Sequence, residues 1–436
     1  MPRITDQYPL CEVRYRKEPE GGLLFDPEEG AYHPLNQTGA KLVEMANGSK
    51  SIDEIIGEIC KNNSMDREVI EEKVIDFFKD EDKGYISLHD TSQQISKSFE
   101  FSDNEFSITM PRGVILLVTN KCNLACSHCL YEAGDELEDE MSTEEIKLII
   151  DKLHDAGVFE ITFSGGEPLI RDDILELATY AKELGFSTGI ISNGILIEED
   201  NYQKIADIFD SIVISLDGSE KDVHENLRGE GTWEDAIAGC ELMSETDVPL
   251  SINTTLLTET SMEEVEKRIE LGIELEASTI AFDVPLEIGR GEDERFRTPL
   301  SKRRELFKFF KRKAPEYSSE IRVHPPEEFQ GIQIEGDATN CGIGDIITIN
   351  SSGVVFPCPL LIFDEFEIGN IRHASLQSLL HSSEKFRELI DIHVGDLDGC
   401  QDCNLADKGC PGGCRARAYL EHGDVYGDNL CARKEL

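Results

Sequence analysis

The sequence predicts an α/β protein built around a parallel sheet. Between about Gly113 and His324, apolar segments of strand length alternate with segments whose apolar residues recur at helical spacing. Such β–α repetition sets parallel strands side by side and gathers the residues that follow each strand at one edge of the sheet. About 210 residues suit six or seven strands rather than a complete eight-unit barrel. We therefore predict a partial (β/α)6 TIM barrel.

Six strands carry this prediction, and they contain the sequences VILLVT, EITFSGG, TGIISNG, IVISLDG, SINTTLL and TIAFDVP. Smaller segments flank them. The predicted organisation is a front α+β domain over residues 1–92, a polar linker over 93–110, the barrel over 111–330 and a Cys/Gly-rich domain over 331–436. Ligands rather than a large apolar core would have to hold that last domain together.

The front domain opens with two short β-like runs, at 11–15 and 23–26. A helix is predicted to begin at Ser51, because Ser51 and Glu54 have the spacing at which two side chains satisfy the first amides of a helix. Ile55, Ile56 and Ile59 follow at helical intervals. Residues 90–104 are polar with few apolar anchors, which is typical of a linker.

Charge and hydropathy exclude several classes of protein. The chain has 88 acidic and 42 basic residues, a formal net charge of −46. A nucleic-acid partner is not expected, because binding would require neutralising phosphates. No segment approaches the roughly 18 consecutive apolar residues of a membrane span, and the N-terminus lacks a secretory layout. We expect a cytoplasmic protein without a membrane partner.

The cysteines form two groups. Ten of the thirteen lie in groups with short spacings, while Cys11, Cys60 and Cys240 stand alone and are predicted to be buried thiols. In a chain without an export signal, grouped cysteines indicate metal ligation rather than disulfides.

The first group is Cys122-x3-Cys126-x2-Cys129, directly after the first predicted barrel strand. Three thiolates in one loop can bind three irons of a cubane. The fourth iron then has no protein ligand, and a molecule with an amine and a carboxylate can chelate it. The alternative is a zinc site with His128 as fourth ligand, although zinc sites usually pair their cysteines as Cys-x2-Cys.

This loop resembles the signature of the radical S-adenosylmethionine (SAM) superfamily. Ser164-Gly-Gly-Glu-Pro168, at the end of the second strand, is similar to the family's GGEP motif, which holds the amino group of SAM. Ser192-Asn193 and Ser215-Leu-Asp217 resemble the positions that contact the ribose and the methionine moiety. The predicted cofactor-binding residues are Gly165, Gly166, Glu167, Ser192, Asn193, Ser215, Asp217 and Arg228.

Arg228 is the candidate partner for the carboxylate of SAM, and a surface ion pair is the alternative. Asn253 is likewise either a cofactor contact or a residue without a role at the site. The resemblance implies a [4Fe-4S] cluster that receives an electron and cleaves SAM to methionine and a 5′-deoxyadenosyl radical. That radical takes hydrogen from an unactivated carbon. It also implies a low-potential electron donor such as ferredoxin or flavodoxin.

The second cysteine group resembles the SPASM extension, which carries two auxiliary iron–sulfur clusters. By that resemblance, a distal cluster takes four cysteines and a proximal cluster takes three: Cys400, Cys403, Cys410 and Cys431, and then Cys341, Cys358 and Cys414. The loop from Asn404 to Gly409 is one residue longer than in the familiar pattern.

The proximal cluster is one thiolate short, because residues 325–340 contain no cysteine. Its fourth iron is open to substrate or bound by a noncysteine ligand, or the cluster is a two-iron one. Structural zinc is the alternative for the whole group.

The front domain resembles the PqqD-like leader-peptide recognition domain, a small winged-helix unit, in its short strands, apolar helix and turn into a second helix. In that family a leader peptide adds a strand to the sheet edge. The alternative is an inert packing domain.

Together, these resemblances imply a radical SAM/SPASM enzyme that modifies a ribosomally synthesised precursor peptide, by a crosslink, a thioether or a decarboxylation. The enzymatic alternative is a porphyrin side-chain oxidative decarboxylase of the alternative haem pathway. A noncatalytic leader-binding scaffold is a third reading, which the intact first cysteine group disfavours. Asp283, Glu287 and Gly289-Arg290-Gly291 line the substrate cavity or form a solvated turn, and the sequence assigns them no catalytic role.

Overall fold

The structure is a computed structural model. It describes residues 3–26, 31–62, 66–79, 85–93, 108–326, 341–403, 410, 412–427 and 431. Contacts divide the chain into two compact units. The first comprises Met1–Met110 with His154–Phe159, and the second comprises Pro111–Leu153 with Glu160–Leu436. The second unit contains both the predicted barrel and the Cys/Gly-rich segment. Most of the predicted linker, residues 94–107, lies outside the described residues.

The first unit is a small α+β structure. Its elements are β1 (Tyr8–Cys11), β2 (Arg14–Glu18), β3 (Gly21–Asp26), β4 (Ala31–Asn36), α1 (Gln37–Met45), α2 (Ile52–Asn62), α3 (Arg67–Lys79) and β5 (Ile86–His89). Strands β2, β3 and β4 form an antiparallel sheet in that order, and β1 pairs with β5. The apolar faces of the three helices meet in one cluster that includes Leu42, Ile55, Ile56 and Val74.

The predicted helix start at Ser51 is confirmed. The Glu54 amide donates to Ser51 Oγ over 3.3 Å, and the Ser51 amide donates to Glu54 Oε2 over 2.8 Å. The predicted strand at 11–15 is wrong in its bounds, because the chain leaves β1 at Cys11 and begins β2 only at Arg14. Cys11 and Cys240 are buried as predicted, whereas Cys60 is half-buried.

The second unit is built on one large sheet. Its elements are β6 (Gly113–Thr119), α4 (Thr143–Asp155), β7 (Glu160–Gly165), α5 (Ile174–Glu183), β8 (Ser187–Ser192), α6 (Tyr202–Ile208), β9 (Ser211–Ser215), α7 (Lys221–Arg228), α8 (Trp233–Ser244), β10 (Leu250–Thr255), α9 (Met262–Glu274), β11 (Thr279–Asp283), α10 (Leu300–Lys313), β12 (Arg322–His324), β13 (Ile346–Ile349), β14 (Val354–Phe356), β15 (Gly369–Asn370), α11 (Leu376–Ser382), α12 (Glu384–Ile390) and α13 (Arg415–His422).

The six predicted strands are present as β6 to β11, each parallel to the next. The apolar run of β6 is almost wholly buried, as expected for a parallel strand covered on both faces. Two further strands extend the sheet: β12 pairs in parallel with β11, and β13 pairs in parallel with β6. The sheet order is therefore β12-β11-β10-β9-β8-β7-β6-β13-β14-β15.

A second apolar cluster of this unit combines residues from the chain after β11 with residues from the C-terminal part. Its buried members include Leu286, Leu361, Leu389 and Ala416, and Cys358, Cys400 and Cys414 pack against it. In the part of the chain that the structure describes, no helix is long and apolar enough to cross a lipid bilayer.

Candidate active site

The sheet of the second unit encloses a cavity of about 550 Å³. Residues from seven neighbouring strands line it: Ile115, Ser164, Ile191, Val213, Asn253, Ala281 and His324. Since these strands face one space, the sheet curves around it as a partial barrel does. The volume lies within the range of small-molecule sites, about 300–1,000 Å³.

Cys122, Cys126 and Cys129 all line this cavity. Their loop leaves β6 and is closed at its base, where the Cys122 amide donates to the Gly134 carbonyl over 2.9 Å. A second hydrogen bond of 2.9 Å runs from the Gly134 amide to the Asn120 carbonyl. The loop therefore follows directly on the first barrel strand, and its three cysteines face the cavity.

Gly165 and Gly166 lie where β7 ends, and both line the cavity. A Cβ on Gly165 would lie 2.3 Å from the Thr119 carbonyl oxygen, and one on Gly166 would lie 2.2 Å from the Lys121 carbonyl oxygen. The Gly166 amide donates to Thr119 over 2.8 Å. The paired glycines thus let the end of β7 approach the start of the cysteine loop, a contact that a side chain would prevent.

Glu167 is fully buried and is not among the lining residues of the cavity. Its carboxylate accepts hydrogen bonds from the Ser192 hydroxyl (2.9 Å) and from the Asn193 and Leu169 amides (2.8 and 3.1 Å). Burial raises the pKa of Glu167 to about 7, although these donors and Arg228 act in the opposite direction. The carboxylate therefore joins β7 to the end of β8.

Ser192 and Asn193 line the cavity beside the cysteine loop. The Asn193 side-chain amide donates to Asn123 Oδ1 over 2.8 Å, so one predicted cofactor contact also braces the loop between Cys122 and Cys126. The Ser192 hydroxyl also accepts from the Gly194 amide over 3.0 Å.

Asp217 lies behind the cavity wall that includes Arg228. It is fully buried, and its Oδ1 accepts from the Thr255 amide over 2.6 Å. Its Oδ2 accepts from Arg228 Nε over 2.7 Å and lies 3.2 Å from His128 Nε2. Burial would raise the pKa of Asp217, but Arg228 and His128 outweigh it and hold that pKa well below the usual range.

Arg228 reaches the cavity wall from the C-terminus of α7. Burial opposes its charge, but Asp217 and the Cys126 thiol more than offset this and raise the pKa of the guanidinium. Arg228 therefore stays cationic close to the cysteine loop. His224 supports the same wall: its Nδ1 accepts from the Asp217 amide over 3.2 Å, and burial lowers its pKa to about 4.

Asn253 and Asp283 face the cavity from the ends of β10 and β11. Asn253 Nδ2 donates to Asp283 Oδ2 over 2.9 Å, and burial raises the pKa of Asp283. Ser215 lies on the adjacent wall at the end of β9. Six of the eight predicted cofactor-binding residues thus line the cavity, and Asn253 joins them. The other two, Glu167 and Asp217, are fully buried and hydrogen-bond to residues of the cavity wall.

The first cysteine group offers three thiols to a metal centre. Burial raises the pKa of Cys122 to about 11 and also raises that of Cys126, so a metal that binds these two thiols must displace their protons. Within the described ranges, no three His, Cys, Asp or Glu side chains are close enough to hold one metal ion. Three thiolates can each bind a different iron of a cubane, which suits the three cysteines that line the cavity.

Both predicted sets of C-terminal cysteines contain residues that lie close together. The predicted proximal set is Cys341, Cys358 and Cys414. Burial of its thiol raises the pKa of Cys358, and Cys414 and Cys341 lie close enough to raise it further. Cys414 also lines the cavity. In the predicted distal set, the Cys403 amide donates to the Cys400 carbonyl over 3.0 Å. The lengthened loop at 404–409 lies outside the described residues.

The cavity lining includes Tyr131 and His324, which were not predicted as site residues, and Arg290, which was one of the candidate cavity residues. Tyr131 lies near both Cys129 and Cys358, which together with burial raise the pKa of its hydroxyl. Of the two alternatives for Arg290, a cavity residue or part of a solvated turn, the structure supports the cavity residue. No local sequence signal marks Tyr131 or His324, because each reaches the cavity through tertiary packing.

Three family models match the chain. The Radical SAM superfamily model matches residues 116–272, the coenzyme PQQ synthesis protein D (PqqD) model matches 21–86, and the SPASM iron–sulfur cluster-binding domain model matches 334–404. The AdoMet-dependent heme synthase of Methanosarcina barkeri is 32% identical over 337 residues, which cover 72% of this chain and 94% of that protein.

Two further proteins are similar over almost the whole chain. The antilisterial bacteriocin subtilosin biosynthesis protein AlbA of Bacillus subtilis is 26% identical, over 98% of this chain and 96% of its own. The crystal structure of Streptococcus suis SuiB bound to precursor peptide SuiA superposes with a TM-score of 0.72 at 16% identity. That likeness covers 97% of this chain and 99% of the SuiB chain, and it shows a shared fold.

Proposed function

Because this chain belongs to the radical SAM superfamily and carries a SPASM domain, it is an enzyme of that class, and we propose that its substrate is a ribosomally synthesised peptide. Membership implies a [4Fe-4S] cluster that binds SAM, together with auxiliary iron–sulfur clusters. When bound, the cluster and SAM supply the chemistry of reductive SAM cleavage and hydrogen abstraction. The observation that carries the peptide substrate is a groove in the first unit.

The groove has a volume of about 930 Å³ and lies beside β4 in the domain that the PqqD model matches. In the described part of the chain, β4 pairs with β3 alone and forms an edge of its sheet. An edge strand presents backbone groups that an extended peptide can pair with. We infer that the leader segment of the substrate adds to β4.

The walls of the groove suit a peptide with apolar anchors. Leu42 from α1, Ile59 from α2 and Phe77 from α3 face it, together with Leu35 from β4. Lys41, Glu44, Glu58 and Lys73 form its charged rim. Pro34 has no amide proton, so it removes one donor from the strand edge. Side-chain anchors must therefore provide much of the affinity that an unbroken ladder would give.

The full-length alignment with AlbA is compatible with the same substrate, although a mycofactocin maturase, like the heme synthase, aligns with only about 70% of this chain. AlbA, whose name refers to bacteriocin biosynthesis, aligns with 98% of this chain, whereas the heme synthase of M. barkeri aligns with 72%. A segment about the size of the front domain thus has no counterpart in that heme synthase alignment. An enzyme that acts on a small tetrapyrrole has no need of a peptide groove.

Within the second unit, we propose roles for the cavity residues by their chemistry. Cys122, Cys126 and Cys129 hold the SAM-binding cluster. Arg228 stays cationic at the wall and binds the SAM carboxylate, while Ser192, Asn193 and Ser215 offer hydrogen bonds to its polar groups. Glu167, being buried, positions Ser192 and Asn193 rather than standing in the open cavity.

We assign Cys341, Cys358 and Cys414 to the proximal auxiliary cluster and Cys400, Cys403, Cys410 and Cys431 to the distal one. Cys414 lines the same cavity as the first cysteine group, which supports a proximal centre next to the substrate space. Asp283 is the candidate proton acceptor there, because it is a cavity carboxyl held by one hydrogen bond from Asn253.

The test is an anaerobic incubation of reconstituted protein with SAM, a reductant and the peptide encoded by a short reading frame beside the gene. Mass spectrometry should find the peptide changed in its core segment, and 5′-deoxyadenosine formed with it. Removal of the leader segment should abolish the change. A core that is modified equally well without its leader would contradict the role of the groove.

The second candidate substrate is a porphyrin. It is supported by the 32% identity to the heme synthase of M. barkeri over 94% of that protein. An iron porphyrin bearing propionate groups, incubated in place of the peptide, should remain unchanged under our proposal. Loss of carbon dioxide and two hydrogens from a propionate would instead favour the porphyrin, provided that the peptide is not modified.

A further inference from the structure

The chain after β11 lies directly on the cysteine loop. The Arg290 amide donates to the Cys129 carbonyl over 3.1 Å. Gly289 has a φ of +58°, and a Cβ there would lie 2.6 Å from the carbonyl oxygens of both Cys129 and Leu130. The turn is therefore in backbone-to-backbone contact with the loop, which only glycine permits at this position.

The side chain of Arg290 makes two further bonds to the same loop. Its Nε donates to the Cys126 carbonyl over 2.7 Å, and its Nη1 donates to the Ala133 carbonyl over 2.7 Å. One residue thus binds three carbonyls of the loop. The planar guanidinium fixes the direction of both side-chain bonds, which a single ammonium cannot do.

The backbone hydrogen bonds within the loop are weak between Cys126 and Glu132. Among the described residues, its internal backbone bonds are long: 3.4 Å from the Cys129 amide to Cys126 and 3.5 Å from the Glu132 amide to Cys129. Groups outside the loop also hold it: the Leu227 carbonyl accepts from the Ser127 amide over 2.9 Å, and Asn193 Nδ2 donates to Asn123 Oδ1 over 2.8 Å. The spacing of Cys126 and Cys129 therefore depends on groups outside the loop.

The same segment is anchored on its far side. Leu286 and Ile288 belong to the apolar core of the C-terminal part, with Leu361 and Leu389. Arg417, on α13, donates to the carbonyls of Val284 and Pro285, both over 3.3 Å. Arg290 is thus carried on a segment that is fixed to the domain of the auxiliary cysteines.

We propose that Arg290 is a positioning residue that holds the cysteine loop in its cluster-binding conformation by bridging the Cys126 and Ala133 carbonyls. The inference rests on the proposed SAM chemistry of the same loop. It assigns no contact with the substrate to Arg290.

The experiment compares Arg290→Gln, Arg290→Lys and the control Arg297→Gln. Arg297 lies in the same segment, but its side chain is 66% exposed and pairs with Glu287. Thermal unfolding of each reconstituted protein is followed by circular dichroism. SAM binding is measured by equilibrium dialysis, and the paramagnetic resonance spectrum of the reduced protein is recorded with and without SAM.

We expect Arg290→Gln to bind SAM about 10- to 100-fold more weakly than Arg297→Gln, the range usual for groups that orient metal ligands. Its SAM-dependent difference spectrum should be broadened and diminished. Arg290→Lys keeps the charge without the two-carbonyl bridge, so it should share the defect. If Arg290→Gln does not fold, the comparison is made with Arg290→Lys.

Two results would overturn the inference: SAM affinity and difference spectrum unchanged in the glutamine variant, or full recovery in the lysine variant. A wild-type spectrum that does not change on addition of SAM would overturn the proposed function and this inference together. A normal wild-type response that survives substitution of Arg290 overturns the inference alone.

Discussion

The fully buried Asp217 forms an ion pair with Arg228, a largely buried residue of the cavity wall, with Arg228 Nε 2.7 Å from Asp217 Oδ2. Asp217→Asn removes the negative partner and leaves a buried guanidinium without a counter-charge. We expect a loss of about 3–5 kcal/mol in the free energy of unfolding, measured by chemical denaturation at neutral pH. The control is Glu263→Gln, because Glu263 is an exposed member of a surface pair with Lys267.

The sign of the pH dependence follows from the depressed pKa of Asp217. Its contribution to stability is present above the ordinary aspartate pKa and is lost as pH falls through the lower folded value. The difference between wild type and Asp217→Asn should therefore shrink in acid. Equal stability of the Asp217→Asn and Glu263→Gln variants at neutral pH would contradict a structural role for the pair.

Asp283 should show the opposite behaviour. Burial raises its pKa, with a smaller contribution from the charge of Asp217 in the same direction. Its contribution to stability is full below the ordinary aspartate pKa and is lost as pH rises through the folded value. The melting temperature of Asp283→Asn relative to wild type should therefore increase as the pH rises from about 4, the ordinary aspartate pKa, to about 8. A difference that is constant with pH would show that Asp283 does not change charge there.

Gly166 and Gly134 provide a matched pair at the cysteine loop. A Cβ on Gly166 would lie 2.2 Å from the Lys121 carbonyl oxygen, whereas one on Gly134 would meet nothing within 4 Å. Gly166→Ala should displace the start of the loop and weaken SAM binding by about tenfold or more, as for other groups that orient metal ligands. Gly134→Ala should leave SAM affinity unchanged. Equal affinities in equilibrium dialysis would refute this close approach.

Phe77 is the groove residue whose truncation tests peptide recognition most cleanly. Phe77→Ala shortens an apolar wall of the groove beside α1 and should weaken binding of the precursor peptide by about tenfold, as removal of a buried aromatic anchor does. Val69→Ala is the control, since Val69 lies on the same helix, is exposed, and is not among the groove residues. Fluorescence anisotropy with labelled peptide measures both. Unchanged binding in Phe77→Ala would mean that the peptide does not use this groove.

Much of the fold could be predicted from sequence, because the signals are local. The apolar runs of β6 to β11 and the capping pair of Ser51 and Glu54 are written in contiguous residues. The pairing of β13 with β6 was not predicted, because it joins segments more than 200 residues apart, Gly113 to Ile346 for example. Only tertiary packing specifies such a partner.

The candidate site could likewise be predicted from sequence only in part. The cysteine spacing and the motif around Glu167 predicted which strand ends meet, and the structure brings them together. The sequence could not reveal that Glu167 is buried between Ser192 and Asn193, or that Arg290 binds three carbonyls of the cysteine loop. Those relations depend on side-chain direction and on a turn whose partner lies about 160 residues away, beyond any local pattern.

The most direct test of the account is the paramagnetic resonance spectrum of the anaerobically reconstituted, reduced protein, recorded before and after addition of SAM. If Cys122, Cys126 and Cys129 leave one iron free for the amine and carboxylate of SAM, the spectrum must change on addition. Cys126→Ala should abolish that change, while Cys60→Ala should keep it. A fully loaded wild-type protein whose spectrum is identical with and without SAM would contradict the central claim.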